Sequence, residues 1–247
     1  MSLNTIRSTA PLWFPSNIKA LNERFEAEPT ENLLSWATAM LGDALVMSTG
    51  FGPSGIVLMH MLSKIRPWTT VFYLETDLHF AETHTLKEEL SGRLGIRFET
   101  IHSGLSLHDQ SKRFGPKLWQ SEPSLCCHLR KVMPLQKYLV DKRGWITGIR
   151  RDQSPTRANT KVISWDETHQ LLKLAPLAFW TNKQVWDYIK NYGLPYNSLH
   201  DKGFPSIGCF PCTHAASDPN DERSGRWAGQ QKTECGIHLK LPVSTNR

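Results

Sequence analysis

The sequence predicts an α/β protein built on a mainly parallel sheet flanked by helices, and three observations carry that expectation. Short apolar runs rich in Val, Ile and aromatic residues alternate along the 247 residues with segments of helical apolar spacing, the pattern of successive βαβ units. A Gly/Pro-rich turn, "GFGPSG" at 50–55, separates the first such run from the helical segment after it. No apolar stretch approaches the roughly 20 residues that a membrane span needs.

The elements follow in order. Residues 16–41 carry helical spacing through Ile18, Leu21 and Phe25 and then Leu33, Leu34, Ala37 and Leu41, with a break at Pro29-Thr30. "ALVMST" (44–49) reads as a buried strand and "IVLMHMLSKI" as the helix after the turn. "TVFYLE" (70–75) is a strand, 80–94 a helix with Phe80, Leu86, Leu90 and Leu94 on related faces, and "IRFETIH" (96–102) a strand. "GWITGI" (144–149) is a further strand, and 181–193 a helix with a threonine cap and a glycine stop. Periodicity is lost from about Ala215, which divides the chain into one α/β domain over 1–214 and a mobile tail over 215–247. Ligands of such sheets bind beyond the C-terminal ends of the strands.

Composition narrows the function. The N-terminal "MSLNTIRSTAPLWF" lacks the apolar segment and cleavage site of a secretory signal, so a cytoplasmic protein is expected. The formal charge is +6, with arginines gathered near Gly and Pro in "GIRRDQSPTR" and "DERSGRW" rather than in long blocks. That distribution suits a compact anionic ligand better than a nucleic-acid track.

The five cysteines fall as two close pairs, Cys126/Cys127 and Cys209/Cys212, and a remainder, Cys235. In a reducing compartment two tight pairs read as a metal or cluster site and the single one as a candidate nucleophile. Adjacent cysteines on a helix project about 100° apart, which favours a broad iron–sulfur cluster over a single zinc ion. Lys131, four residues beyond Cys127, lies one helical turn on and can offset the negative charge of a thiolate-bound cluster.

Three further motifs concern anions. "STGFGPSG" (48–55), between strand and helix, can cradle phosphate through the backbone of Ser48, Thr49 and Gly50 and the helix N-terminus, although it is neither a Walker A loop nor a dinucleotide fingerprint. "TGIRRDQSPTR" (147–157) places Arg150, Arg151 and Arg157 on a strand-end loop, and "DERSGRW" adds Arg223 and Arg226. Around Cys235 stand Lys232, His238 and Lys240, cations that favour a thiolate, with Glu234 opposing them.

"CCHLRKVMPL", "TGIRRDQSPTR", "SIGCFPC", "RSGRW" and "KTECGIH", in this order over roughly residues 40–240, closely resemble the assimilatory adenylyl-sulfate and phosphoadenylyl-sulfate reductases in their cluster-bearing branch. The resemblance implies a Rossmann-like adenine-nucleotide α-hydrolase fold, a [4Fe–4S] cluster on Cys126, Cys127, Cys209 and Cys212, and thioredoxin as reductant; a homo-oligomer is also expected. It implies that Cys235 attacks the sulfonucleotide sulfur and leaves an S-sulfocysteine. It also implies that Arg157, Arg223 and Arg226 bind the phosphosulfate, that Lys131 links cluster and substrate, and that His238 lies near the nucleophile. Two stretches depart from the pattern: Glu75 and Asp77 in "LETDLHFAET" stand where relatives carry L-D-T-G, and "RWAG" replaces an aromatic-rich run. The cysteines point to adenylyl sulfate (APS) as substrate. The Phe-Gly loop resembles that of enzymes for the 3′-phosphorylated nucleotide (PAPS), which with dual use is the main alternative. An ATP pyrophosphatase or tRNA-thiolating enzyme of the same superfold would need an S-G-G-x-D-S loop, which is absent. A simple iron–sulfur electron carrier would leave Cys235 and the arginines without a role.

Overall fold

The computed structural model describes residues 17–218 and 221–238. Helices α1 (Ile18–Ala27) and α2 (Thr30–Leu41) lead into strand β1 (Leu45–Ser48). The Asn17 side chain caps α1 by accepting from the Ala20 N–H. Helix α3 (Pro53–Ile65) connects β1 to β2 (Thr70–Glu75), and α4 (Ala81–Leu94) connects β2 to β3 (Phe98–His102). Pro53 opens α3 at a position where its missing N–H costs nothing. Shorter helices then follow: α5 (Leu107–Phe114), α6 (Leu118–Ser121), α7 (Pro123–Cys127) and α8 (Met133–Leu139), the last two joined by a π-turn over His128–Val132. Strand β4 (Gly144–Ile146), the hairpin β5 (Ile163–Asp166) and β6 (Leu171–Leu174), and helix α9 (Asn182–Asn191) complete the regular elements. Thr181 and Gln184 form a capping box at the start of α9.

The strands form one six-stranded sheet in the order β3-β2-β1-β4-β6-β5, parallel except for β5. From β1 the chain builds outward through β2 and β3, then returns to lay β4 on the other side of β1. That reversal opens a crevice at the C-terminal ends of β1 and β4, and the loops after those two strands form its walls.

Side chains alternate across the sheet with the period of two that a strand imposes. Leu45, Met47, Val71, Tyr73, Ile146 and Leu172 enter the larger core with α2, α3 and α9, whereas Val46, Phe72, Trp145 and Leu171 enter a second core with Leu135 and Leu139 of α8. Ile237, from the C-terminal segment, packs against this second core.

The structure differs from the sequence expectation at two strands. β4 ends at Ile146 instead of residue 149, because Gly148 turns against α3, where a Cβ would lie 3.2 Å from Gly55 N and 3.3 Å from Ser54 Cβ. β3 begins at Phe98 because Ile96 is buried in the larger core and its carbonyl accepts from Ser91 Oγ at 2.7 Å. The β5–β6 hairpin and the 107–139 helices had no counterpart in the sequence reading. No helix among the described residues is long and apolar enough to cross a membrane.

Leu172 is fully buried and Val140 is 82% exposed, which sets a paired test of this core. Leu172→Ala is expected to lower the urea-unfolding free energy by about 2–5 kcal/mol. Val140→Ala should change it by less than about 0.5 kcal/mol.

Candidate active site at the ends of β1 and β4

The loop after β1 is built to stay open. Thr49 N–H donates to the Phe72 carbonyl at 2.9 Å, and Thr49 Oγ1 accepts from the Phe51 N–H at 2.9 Å. Phe51 takes a left-handed φ of 59° and buries its ring edge-on against Tyr73 and Phe98, 5.3 Å between centroids in each case. Gly55 must be glycine, since a Cβ would stand 2.9 Å from Thr49 Oγ1. Ser48, Thr49, Gly50 and the start of α3 consequently face a cleft of about 250 Å³.

The three arginines of the loop after β4 separate. Arg157 lines the cleft. Arg150 does not: it is fully buried behind the wall, donating Nη1 to Ser54 Oγ at 2.7 Å and Nε to Asp152 at 2.9 Å, with Glu222 3.5 Å from Nη2. Arg151 points to the far side, where it donates to the Thr160 carbonyl at 2.8 Å, pairs with Glu26 at 3.3 Å and lies over the Phe179 ring. The expectation that both bind the ligand directly is therefore corrected; Arg150 braces the β1 loop, and Arg151 ties the β4 loop to α1.

The C-terminal segment closes the cleft. Rather than hanging free, residues 221–238 dock on the domain through a Thr213–Arg226 bridge and through Trp227 N–H donating to the Cys212 carbonyl at 3.1 Å. Arg223, Arg226, Cys235 and His238 thereby join Arg157 and Lys131 around the same space. Arg226 lies over the Trp227 ring at 4.5 Å and reaches the Cys212 carbonyl and Ser206 Oγ, both at 3.4 Å. Trp227 thus supports the cations and walls the thiol cavity. Lys240 lies outside the described residues.

Glu234 is the residue whose part the sequence reading missed. Arg157 donates Nε and Nη2 to its two carboxylate oxygens, each at 2.8 Å, and Arg223 adds Nη2 at 3.2 Å. Its carboxylate is engaged by Arg157 and Arg223, two of the cations that line the cleft with Cys235. Burial pushes the Glu234 carboxyl up, but the Arg157 hydrogen bonds and the charges of Arg157 and Arg223 outweigh it and hold it below its ordinary value. Burial and the nearby Arg157 draw Arg223 down to about 10, still a cation at neutral pH. The adjacency of Glu234 to Cys235 was the available signal, and nothing in the sequence named its partners.

His238 stacks on Trp145, 5.3 Å between centroids and 22° between planes, with Nδ1 buried and without a hydrogen-bond partner among the described residues. Burial first, then Lys173, Arg157 and Arg223, push its pKa well below the ordinary histidine value. It is a neutral anchor of the segment and supplies no cation to Cys235, which corrects its expected charge.

Behind the cleft, Cys126 and Cys127 at the end of α7 and Cys209 and Cys212 on a tight turn line one narrow buried cavity with Leu78, Trp119 and Trp227. Burial raises the Cys126 thiol to about 12 and Cys212 to about 11, with neighbouring cysteines adding to the effect, and it raises Cys127 as well. Cys209 moves the other way: burial disfavours its thiolate, but Lys131, a 3.3 Å hydrogen bond shared with Thr76 Oγ1, and Arg226 outweigh it. Among the described residues no three His, Cys, Asp or Glu side chains converge closely enough for a single metal ion. The four thiols share this one cavity.

Lys131 borders both spaces. Burial works against its charge, yet Cys209, Cys235 and Cys127 outweigh it, and the ammonium pKa is raised. The π-turn that carries it has a local cause: Pro134 has no N–H to donate to the Arg130 carbonyl, and its ring would crowd that carbonyl in a regular helix. The preceding Arg130 turns inward, fully buried, and donates to Gln110 Oε1, the Thr76 and Leu105 carbonyls and Asp77 Oδ2 at 2.7–3.1 Å. Asp77 holds a left-handed φ of 57°, and Glu75 Oε1 accepts its N–H at 2.8 Å. The two departures in "LETD" thus have structural partners.

Residues 44–215 match the family model described as the phosphoadenosine phosphosulfate reductase domain. The chain is 48% identical over 239 residues to an adenosine 5'-phosphosulfate reductase of Salinibacter ruber, covering 96% of this chain and 94% of the relative. It is 46% identical over 208 residues to adenosine 5'-phosphosulfate reductase 2 of Bacillus subtilis, covering 84% and 88%. Its fold is similar to that of the phosphoadenylyl-sulfate reductase of Candida auris in a phosphate complex, with a TM-score of 0.71 and 29% identity over 79% of this chain and 95% of that one. FMN adenylyltransferase of Candida glabrata shares the fold alone, at a TM-score of 0.56 and 17% identity over 80% and 67%.

The Glu234 pairs make stability depend on pH with a definite sign. A carboxyl whose folded value is depressed stabilises fully above its unfolded value, near 4.5, and that contribution is lost as pH falls through the folded value below it. Wild type is expected to exceed Glu234→Gln by about 1–3 kcal/mol in urea unfolding at pH 7, with the gap closing in acid.

Proposed function

This chain belongs to the phosphoadenosine phosphosulfate reductase domain family, and on that premise we propose that it reduces adenylyl sulfate to sulfite and AMP, with Cys235 as nucleophile. The observation that carries the proposal is the meeting of Cys235, Lys131, Arg157, Arg223 and Arg226 with the β1 loop in one cleft at the sheet's reversal point. The names of the curated relatives support adenylyl sulfate as substrate.

In this reading the backbone of Ser48–Gly50 and the N-terminus of α3 receive the nucleotide phosphate. Arg157, Arg223 and Arg226 take the sulfonate and phosphate oxygens through their fork geometry. The Cys235 thiolate attacks the sulfonate sulfur; an S–S bond forms, the S–O bond to phosphate breaks, and AMP leaves with the electron pair. Lys131 and Arg226 offset the negative charge growing on the leaving phosphate. A thioredoxin thiolate then attacks Cys235 Sγ, sulfite departs, and the second thioredoxin thiol resolves the mixed disulfide.

Cys126, Cys127, Cys209 and Cys212 would hold a [4Fe–4S] cluster, in keeping with their shared cavity. When bound it supplies a fixed charge distribution beside Lys131; the two electrons of the reduction come from thiols. A cytoplasmic setting and a homo-oligomeric state belong to the same proposal.

Phosphoadenylyl sulfate is the second reading, favoured by the Gly-Phe-Gly-Pro turn before the open N-terminus of α3, which could receive an added phosphate.

Cys235→Ser should abolish sulfite release while retaining wild-type iron, sulfide and AMP binding. Wild type given substrate without thioredoxin should carry one sulfonate on Cys235, read by peptide mass spectrometry. Sulfite formation by the mutant would refute the nucleophile. For the substrate, kcat/KM with both nucleotides under one set of conditions decides: a tenfold preference for the 3′-phosphorylated form, about 1.4 kcal/mol, would reverse the assignment.

A further inference from the structure

The residue just before the nucleophile holds two of the cations that line its cleft. Glu234 is 7% exposed. Its carboxylate takes the Nε/Nη2 edge of Arg157, from the domain, and Nη2 of Arg223, from the C-terminal segment itself, which also donates to the Thr233 carbonyl at 2.8 Å. The remaining edge of Arg157 is held by Gln153 Oε1 at 2.5 Å. On the other side of Cys235, Ile237 packs into the second core and His238 stacks on Trp145.

Residues 232–238 form no helix and no strand. Cys235 is held between two anchors, one ionic and one apolar, with Gly236 at a φ of 95° forming the bend between them. We propose that Glu234 is the positioning residue of the nucleophile: its carboxylate joins Arg157 to Arg223 and thereby seats Cys235 beside Lys131. The inference rests on the reading of Cys235 as the attacking thiol.

The physical argument is one of charge. Two largely buried guanidinium groups side by side repel, and a shared carboxylate turns that repulsion into a three-part clamp. Without the charge the clamp loses its reason to close, and a segment with no backbone ladder of its own opens at low cost. A neutral amide of the same size keeps one acceptor oxygen, places an NH2 donor against an arginine in place of the other, and loses the neutralisation.

The test compares Glu234→Gln with wild type in three readouts on the anaerobically purified full chain. The first is the rate of Cys235 alkylation by iodoacetamide without nucleotide, mapped by peptide mass spectrometry. The second is the single-turnover rate of Cys235 sulfonation at saturating adenylyl sulfate, and the third is AMP affinity. The expected result is alkylation faster by about tenfold, sulfonation slower by about tenfold or more, and AMP bound as tightly as by wild type or more tightly. Glu234→Asp, which keeps the charge on a shorter arm, should fall between the two in both rates and serves in place of the amide if that variant does not fold. Unchanged alkylation would overturn the proposal. Weakened AMP binding alongside slower sulfonation would overturn it too, since it would mark Glu234 as a prop of the anion site. If wild type forms no adduct, the reading of Cys235 as nucleophile fails, while the alkylation comparison still reports on the clamp.

Discussion

Four basic side chains, Lys131, Arg157, Arg223 and Arg226, share one cleft, and their mutual repulsion is the constraint on which the site's construction depends. Two unit charges 4 Å apart interact by about 4 kcal/mol at an effective dielectric constant near 20, so such a cluster forms only where counter-charge is built in. Glu234 supplies it for Arg157 and Arg223. Lys131 lies among Cys209, Cys235 and Cys127, whose thiolate forms would supply it. Because Glu234 adjoins Cys235, neutralising the arginines and seating the thiol are one event.

The same economy governs the helical stretch from Pro123 to Leu139. Arg130 and Lys131 are consecutive cations with opposite assignments. Arg130 is sunk among four acceptors and locks the 75–77 loop to the helix, while Lys131 faces the thiols and the cleft. The π-turn around Pro134 lets the backbone present both. The Cys126/Cys127 end of α7 lines the same cavity as the Cys209–Cys212 turn.

Much of this was legible in the linear chain. Apolar periodicity located β1, β2 and their flanking helices, since burial on one face leaves its mark at fixed spacing. Cysteine spacing separated the paired thiols from Cys235, and the turn at 48–55 was placed because Gly and Pro restrict backbone geometry locally. Less visible were the β5–β6 hairpin and the broken helices of 107–139, whose segments are too short to establish a period. The docking of 221–238 was also hidden, because its anchors, Trp145 and Arg157, lie far away in sequence.

What the sequence determined by itself, then, was the alternation of elements, the partition of the thiols and the presence of an arginine-rich loop after a strand, all properties of near neighbours. Which arginine of that loop reaches the cleft was decided only in three dimensions. Arg150, Arg151 and Arg157 share one motif, yet Ser54 holds the first behind the wall, Glu26 draws the second to the opposite side, and Glu234 holds the third at the cleft. The direction of a long charged side chain is set by the counter-charge or acceptor within its reach. Here those partners lie 96, 125 and 77 residues away, a distance over which local spacing carries no information.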